Sequence, residues 1–240
     1  MWLIICDLQD DSALSLVTLL ESHGEELTVL LPDHLVKAKH VHKLGAEGPY
    51  ARTELRNGVE LDLTDVSLLV NRLYATPQIA LERYALDEQG YVQSEWTAFF
   101  TSFLSCCGGP VLNPPAGDNI GGHPLNELEC LHYAATCGLP IAPHILTDHD
   151  NASLEMEELD ISSHLVVGEC VLPKLPDSLS QGARRLANVL GLPLLQIDFA
   201  LHPDGHYVFH RCMEHVEFRH APGPELVAAL RKMAATRVHT

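Results

Sequence analysis

The chain has 240 residues, enough to bury a sizeable core as one large domain or as two smaller ones. Hydrophobic residues make up 46% and charged residues 20%, a globular balance that excludes disorder, and no solenoid-period repeat is present. The 32 acids against 15 Lys and Arg give a formal net charge of −17, which repels phosphate backbones and anionic lipid and so excludes nucleic acid and membrane surfaces as partners.

Residues 2–7 (WLIICD) read as a buried strand, 11–23 as a helix with apolar residues at helical spacing stopped by Gly24, and 26–31 as a second strand. The first turn of this βαβ opening, Asp7 to Asp11, is acidic and lacks glycine, so it is no dinucleotide-phosphate loop. Asn57-Gly58 predicts a two-residue hairpin turn, and 67–73 a returning strand. The apolar period over 91–105 predicts a helix ended by Gly108-Gly109 before a strand at 110–113. A helix at 124–137 and a strand at 140–146 complete an N-terminal α/β domain, residues 1–147. Residues 148–163 carry Asp148, Asp150, Glu155, Glu157, Glu158 and Asp160 without clear periodicity and read as an acidic connector. The second domain, 164–240, is predicted to hold a strand at 164–172, a helix at 178–190 stopped by Gly191, a hairpin at 194–213 and a helix at 224–236.

The apolar stretch in MWLIICD is too short for a signal sequence and has no basic residue ahead of it, and no later run reaches membrane-span length. A cytoplasmic protein is therefore expected. The seven cysteines form neither a disulfide framework nor a CxxC pair, and Cys106-Cys107, ending an apolar helix, are expected to pack as small hydrophobes.

The hairpin carries the chemistry. Pro203-Asp204-Gly205 makes a three-residue connection that sets His202 facing His206. Counting back from it, Leu195, Ile197, Phe199 and Leu201 share a face with Tyr207, Phe209 and Met213, while Gln196, Asp198 and Ala200 share the other with Val208, His210 and Cys212. Arg211 falls on the apolar face. Asp198 is thus expected opposite His210, and Gln196 opposite Cys212. A carboxylate, an imidazole and a thiol converging on one face would start a site for zinc, copper or iron. The same face also reads as an Asp198–His210 hydrogen bond beside a buried thiol.

Three stretches resemble the ATP-grasp carboxylate–amine ligases, particularly the branch that modifies peptides and proteins: VLNPP at 111–115 with GLPIAPHILT at 138–147, HLVVGECVLPKLP at 164–176, and ARRLANVLGLPLLQIDFALHPDGHYVFHRC at 183–212. The resemblance implies an N-terminal βαβ pre-ATP-grasp-like domain followed by a reduced ATP-grasp-like domain lacking the lid. In active members an aspartate on the first hairpin strand and a Glu-x-Asn on the second hold magnesium against the ATP phosphates. Asp198 matches the aspartate, and His210 and Cys212 are taken as the Glu and Asn positions. The family's lid, with its lysine and glycine-rich phosphate loop, is replaced by about 16 acidic residues with no lysine and no glycine, which would repel a triphosphate. Lys174 remains as the nucleotide-side cation.

These features leave ATP and magnesium without their usual holders and predict a chain that is not an autonomous ATP-dependent ligase. The resemblance implies a binding or accessory protein in peptide or natural-product modification, whose partner is a peptide, a small molecule or an ATP-grasp enzyme. One alternative is an active ligase working through an acyl phosphate and completed by a partner subunit. Another is a transition-metal protein using Asp198, His210 and Cys212. Asn71 and Arg72, at a strand end, are placed to offer a guanidinium to a substrate carboxylate, or to form an ordinary ion pair. A homo-oligomer is compatible with all three readings.

Overall fold

The computed structural model describes residues 1–45, 48–77, 81–116, 119–122, 124–142, 160–202 and 204–236. They belong to two compact units, Met1–Pro124 together with Glu217–Thr240, and Leu125–Val216. The division therefore falls ahead of the helix expected at 124–137 and not at the acidic connector, most of which, like most of the strand expected at 140–146, lies outside the described residues. Ile141 alone of that strand is seen pairing, in a single bridge to Phe209.

In the first unit the chain runs β1 (Trp2–Ile5), α1 (Asp11–Ser22), β2 (Leu27–Leu30), α2 (Pro32–Lys37), β3 (Lys39–Gly45), β4 (Gly48–Glu54), β5 (Glu60–Asp62), β6 (Leu68–Asn71), α3 (Gln89–Leu104) and β7 (Val111–Leu112). The strands β2-β1-β6-β7 form a parallel sheet, and β3-β4-β5 an antiparallel meander. The βαβ opening is present as expected, and α1 starts where Asp10 caps it, accepting from Ala13 N at 2.9 Å. Leu3, Ile5 and Leu69, at period two, pack with Phe100, Phe103 and Leu104 of α3. A hairpin turn is found at Asn57-Gly58, but the two-residue turn expected there is corrected to a three-residue connection, Arg56-Asn57-Gly58: Glu54 faces Glu60, Leu55 N donates to Val59 O at 2.8 Å, and of the loop residues Gly58 alone has positive φ, at +81°. The elements α2 and β3 were not expected. Six residues are too few to show a helical period, and the run Lys39-His40-Val41-His42-Lys43 looks polar throughout. His40 is nonetheless drawn inward, bonded to Leu35 O at 2.7 Å and Thr53 Oγ1 at 2.8 Å and packed edge-on against Phe99, Phe100 and Phe103.

The second unit holds α4 (Glu127–Thr136), β8 (Asp160–Val167), β9 (Cys170–Leu172), α5 (Asp177–Leu190), β10 (Leu194–Leu201) and β11 (Tyr207–Met213), with an antiparallel sheet in the order β11-β10-β8-β9. The single strand expected at 164–172 is two strands, reversed at Gly168 with φ +55°. Ala183, Leu186, Ala187 and Leu190 give α5 one apolar stripe, which packs with Leu195, Ile197 and Phe199.

The chain then returns to the first unit as α6 (Gly223–Ala234). Its stripe of Leu226, Val227, Ala229 and Leu230 is buried, and Arg231 bonds Glu25 at 2.6 Å and His23 O at 3.1 Å. These contacts make the last helix part of the first unit, where a division at 148–163 would assign it to the second.

Burial depresses the pKa of His40, against a smaller opposing effect of the Leu35 carbonyl, and likewise that of His164, bonded to Pro173 O and Ser162 Oγ. Between the ordinary histidine value and these lowered ones the unfolded chain binds more protons than the folded one, so stability falls as the pH drops below about 6.5. Urea unfolding at about pH 7.5 and about pH 5.5 is expected to show the lower midpoint at the acid pH. A flat profile would contradict the burial of these two rings.

Candidate functional site

Near its turn the hairpin of β10 and β11 has the expected register: His202 N donates to His206 O at 2.9 Å, Gly205 has φ +84°, and Leu201, Ala200 and Phe199 face Tyr207, Val208 and Phe209. Beyond Phe199 the register shifts. Asp198 pairs with Arg211, Ile197 with Cys212 and Gln196 with Met213, leaving His210 as an extra residue in β11. Because side chains alternate, one added residue exchanges the faces of everything after it. The expected convergence of Asp198, His210 and Cys212 is corrected accordingly: Arg211 joins Asp198, and Cys212 turns to the opposite, core face with Ile197. Among the described residues no group of three or more His, Cys, Asp or Glu is placed to hold a metal ion.

Asp198 has only 1% of its side chain exposed. Arg211 Nε donates to its Oδ2 at 2.8 Å and Gln196 Nε2 to its Oδ1 at 2.9 Å. Burial alone would raise this carboxyl, but the donors Gln196, Arg211 and Ser163 together outweigh burial and hold it below the usual carboxylate range. A guanidinium has thus taken the position facing the carboxylate, and the i, i+2 pair on that face is Arg211 and Met213. Neither offers the oxygen donors that a hard cation requires, so these residues do not fit magnesium.

On the core face, Cys212 meets Cys130 of α4. Both line a cavity of about 300 Å³ with Asn126, Glu127, Phe209, His210 and Arg211. The hydrogen bond between the two thiols lowers Cys130, against burial, and with burial pushes Cys212 well above the ordinary thiol range, so Cys130 is the one that ionises first. The pair lies 82 positions apart in the numbering of α4 and β11 and has no motif; its partial signal is the adjacent polar residues His210 and Arg211, which break the alternation of β11 and mark the bulge. Lys174 is exposed in the connection between β9 and α5 and is not brought to Asp198 by any observed bond.

In the first unit, β2 and β6 lie on opposite sides of β1, so the chain leaves the sheet in both directions at the carboxyl ends of β1 and β6. A crevice of about 350 Å³ opens there, lined by Asp7, Pro32, Asp33, Val36 and the run Arg72, Leu73, Tyr74 and Ala75. Asn71, expected at the edge of a site, is buried: its Nδ2 donates to Asn113 O at 3.1 Å and Ile120 O at 2.7 Å. Arg72 is 3% exposed, and Nε and Nη2 both bind the Asp10 carboxylate, at 2.8 and 3.1 Å, beneath the rings of Tyr74 and Phe218. Of the two roles read for Arg72, its fork is filled by the ion pair. The partner, Asp10, was read only as one of the acids in the first turn. Cys106 and Cys107 are buried, and burial raises both, Cys107 to about 11.

No family model and no curated protein matches the sequence. Solved structures match it in fold. A RiPP-associated ATP-grasp ligase of Chryseobacterium gregarium, in complex with ADP and a leader and core peptide, superposes with TM-score 0.72 at 14% identity, covering 98% of either chain. The macrocyclase MdnC of Microcystis aeruginosa, bound with precursor peptide MdnA, gives 0.70 at 16% identity over 98% of this chain and 99% of that one. The ATP-grasp ligase PsnB, with minimal precursor, Mg and ADP, gives 0.66 at 14% identity over 98% of each. No helix among the described residues is long and apolar enough to cross a membrane.

Proposed function

We propose, for a chain that has the fold of the ATP-grasp peptide ligases, that it is a peptide-binding or accessory protein of peptide modification that does not hold ATP and magnesium by itself. The observation that carries this is the Arg211 guanidinium on Asp198. Where the fold's metal site needs a ring of oxygens around a cation, this chain supplies a cation of its own and, next to it, the thioether of Met213. A divalent ion would have to displace a charge-assisted hydrogen bond and would gain one carboxylate, without a second. The acidic stretch 148–163, with no lysine and no glycine, supports the same reading, since a phosphate cradle is built from backbone N–H groups and positive charge.

Isothermal titration of the lone chain with Mg-ATP is the test. No saturable heat is expected up to about millimolar nucleotide, where an intact site would show micromolar affinity. Clear micromolar binding would overturn the proposal, and so would carboxylate-dependent ADP release by the chain alone.

A further inference from the structure

We infer that the groove along the exposed face of α3 binds an acidic peptide segment carrying an aromatic or aliphatic anchor; the inference rests on the peptide-binding reading above and gives it a place and a ligand chemistry. The face is written into the helix. Tyr91, Val92, Glu95, Trp96 and Phe99 recur at helical spacing, while Phe100, Phe103 and Leu104 fill the core behind them. Tyr91 is 69% and Tyr84 45% exposed, so apolar surface is left uncovered. Its floor is firm: Trp96 stacks on Phe99 at 5.6 Å and 17°, and its Nε1 donates to Pro77 O at 3.1 Å. The groove measures about 760 Å³.

Charge selects the ligand. Arg56, Arg83 and Lys37 stand in the walls of this groove, in a chain with only 15 Lys and Arg. Lys37 is engaged by Asp33. Arg52, Arg72, Arg211, Arg219 and Arg231 each pair with a carboxylate, whereas Arg56 and Arg83, like Arg184 and Arg185 elsewhere, have no ion pair among the described residues, Arg56 acting on Asp33 only at longer range. Two guanidiniums beside an aromatic floor match a peptide whose carboxylates flank an apolar side chain. A nucleotide would also stack on the rings, but its polyphosphate gathers several negative charges at one point in a groove that also holds Glu95 and Asp33, whereas carboxylates spaced along a peptide can each meet a guanidinium.

Trp96 reports on occupancy, since the only other tryptophan, Trp2, is buried in β1. A short synthetic peptide of Glu and Phe residues is titrated into the intact chain and into the surface variants Arg56→Glu/Arg83→Glu and Arg56→Gln/Arg83→Gln. A saturable change in Trp96 emission is expected, weakened about tenfold or more by charge reversal, less by neutralisation, and reduced by salt. Equal affinity of wild type and both variants, or equal affinity for a Lys and Phe peptide, would overturn the groove while leaving peptide binding itself standing. An emission change with ATP and none with the peptide would overturn the choice of ligand, and micromolar Mg-ATP heat that both variants keep would instead sink the proposed function.

Discussion

Asp10→Ala is expected to cost about 3–5 kcal/mol of stability, because it leaves the Arg72 guanidinium buried with its charge uncompensated. The same carboxylate caps α1 through Ala13 N, which contributes about 1 kcal/mol more to the loss. Urea unfolding separates the two effects. Asp10→Asn keeps a capping oxygen and removes the charge, so most of the loss should persist in it. Exchanging both partners, Asp10→Ala with Arg72→Met, should recover a large part of the loss, since no buried charge then remains. If Asp10→Ala cost less than about 1 kcal/mol, the ion pair would be solvated and the crevice beside it wetter than its burial indicates.

The second large effect is expected at Gly109. Seen along the chain, Gly108-Gly109 is a helix stop. Built into the fold, each glycine also lies against backbone: a Cβ on Gly108 would enter the carbonyl of Thr64, and one on Gly109 that of Ser67. Neither neighbour is a flexible side-chain end, so Gly109→Ala must displace the segment that leads into β6. A loss of about 3 kcal/mol or more is expected, enough to lower the thermal midpoint by roughly 10 °C in a unit of this size. Gly138→Ala is the control, with open space around the added carbon and a positive φ, and should cost about 1 kcal/mol. Equal effects of the two substitutions would remove close packing as the reason for the glycine at 109.

Elements with a long period or a defined turn were legible in the amino-acid order. The stripe of α5, the βαβ opening and the turns at Gly58 and Gly205 follow from spacing and from φ, both local properties. What failed was parity. Asp198, His210 and Cys212 were assigned by counting from the turn, and the count is sound as far as Phe209, after which one bulged residue exchanges the faces. The energetic reason lies in long-range partners that alternation cannot reveal: the Asp198 carboxylate bonds the only guanidinium in β11, and the Cys212 thiol has Cys130 to pack against. The face of α3 was legible as helix, but nothing local announced that Arg56 and Arg83 would flank it, since they come from a turn and from a short 3-10 segment.

The return of α6 to the first unit has a consequence for the order of assembly. The residues of the second unit are contiguous, whereas the first is written in two pieces with the whole of the other between them. On a ribosome, where domains ordinarily complete from the N-terminus onward, the second unit can close while α1 still awaits the helix that packs against it. The N-terminal unit is then the last to finish. Truncation just before Glu217 should accordingly leave Leu125–Val216 protease-resistant and Met1–Pro124 susceptible.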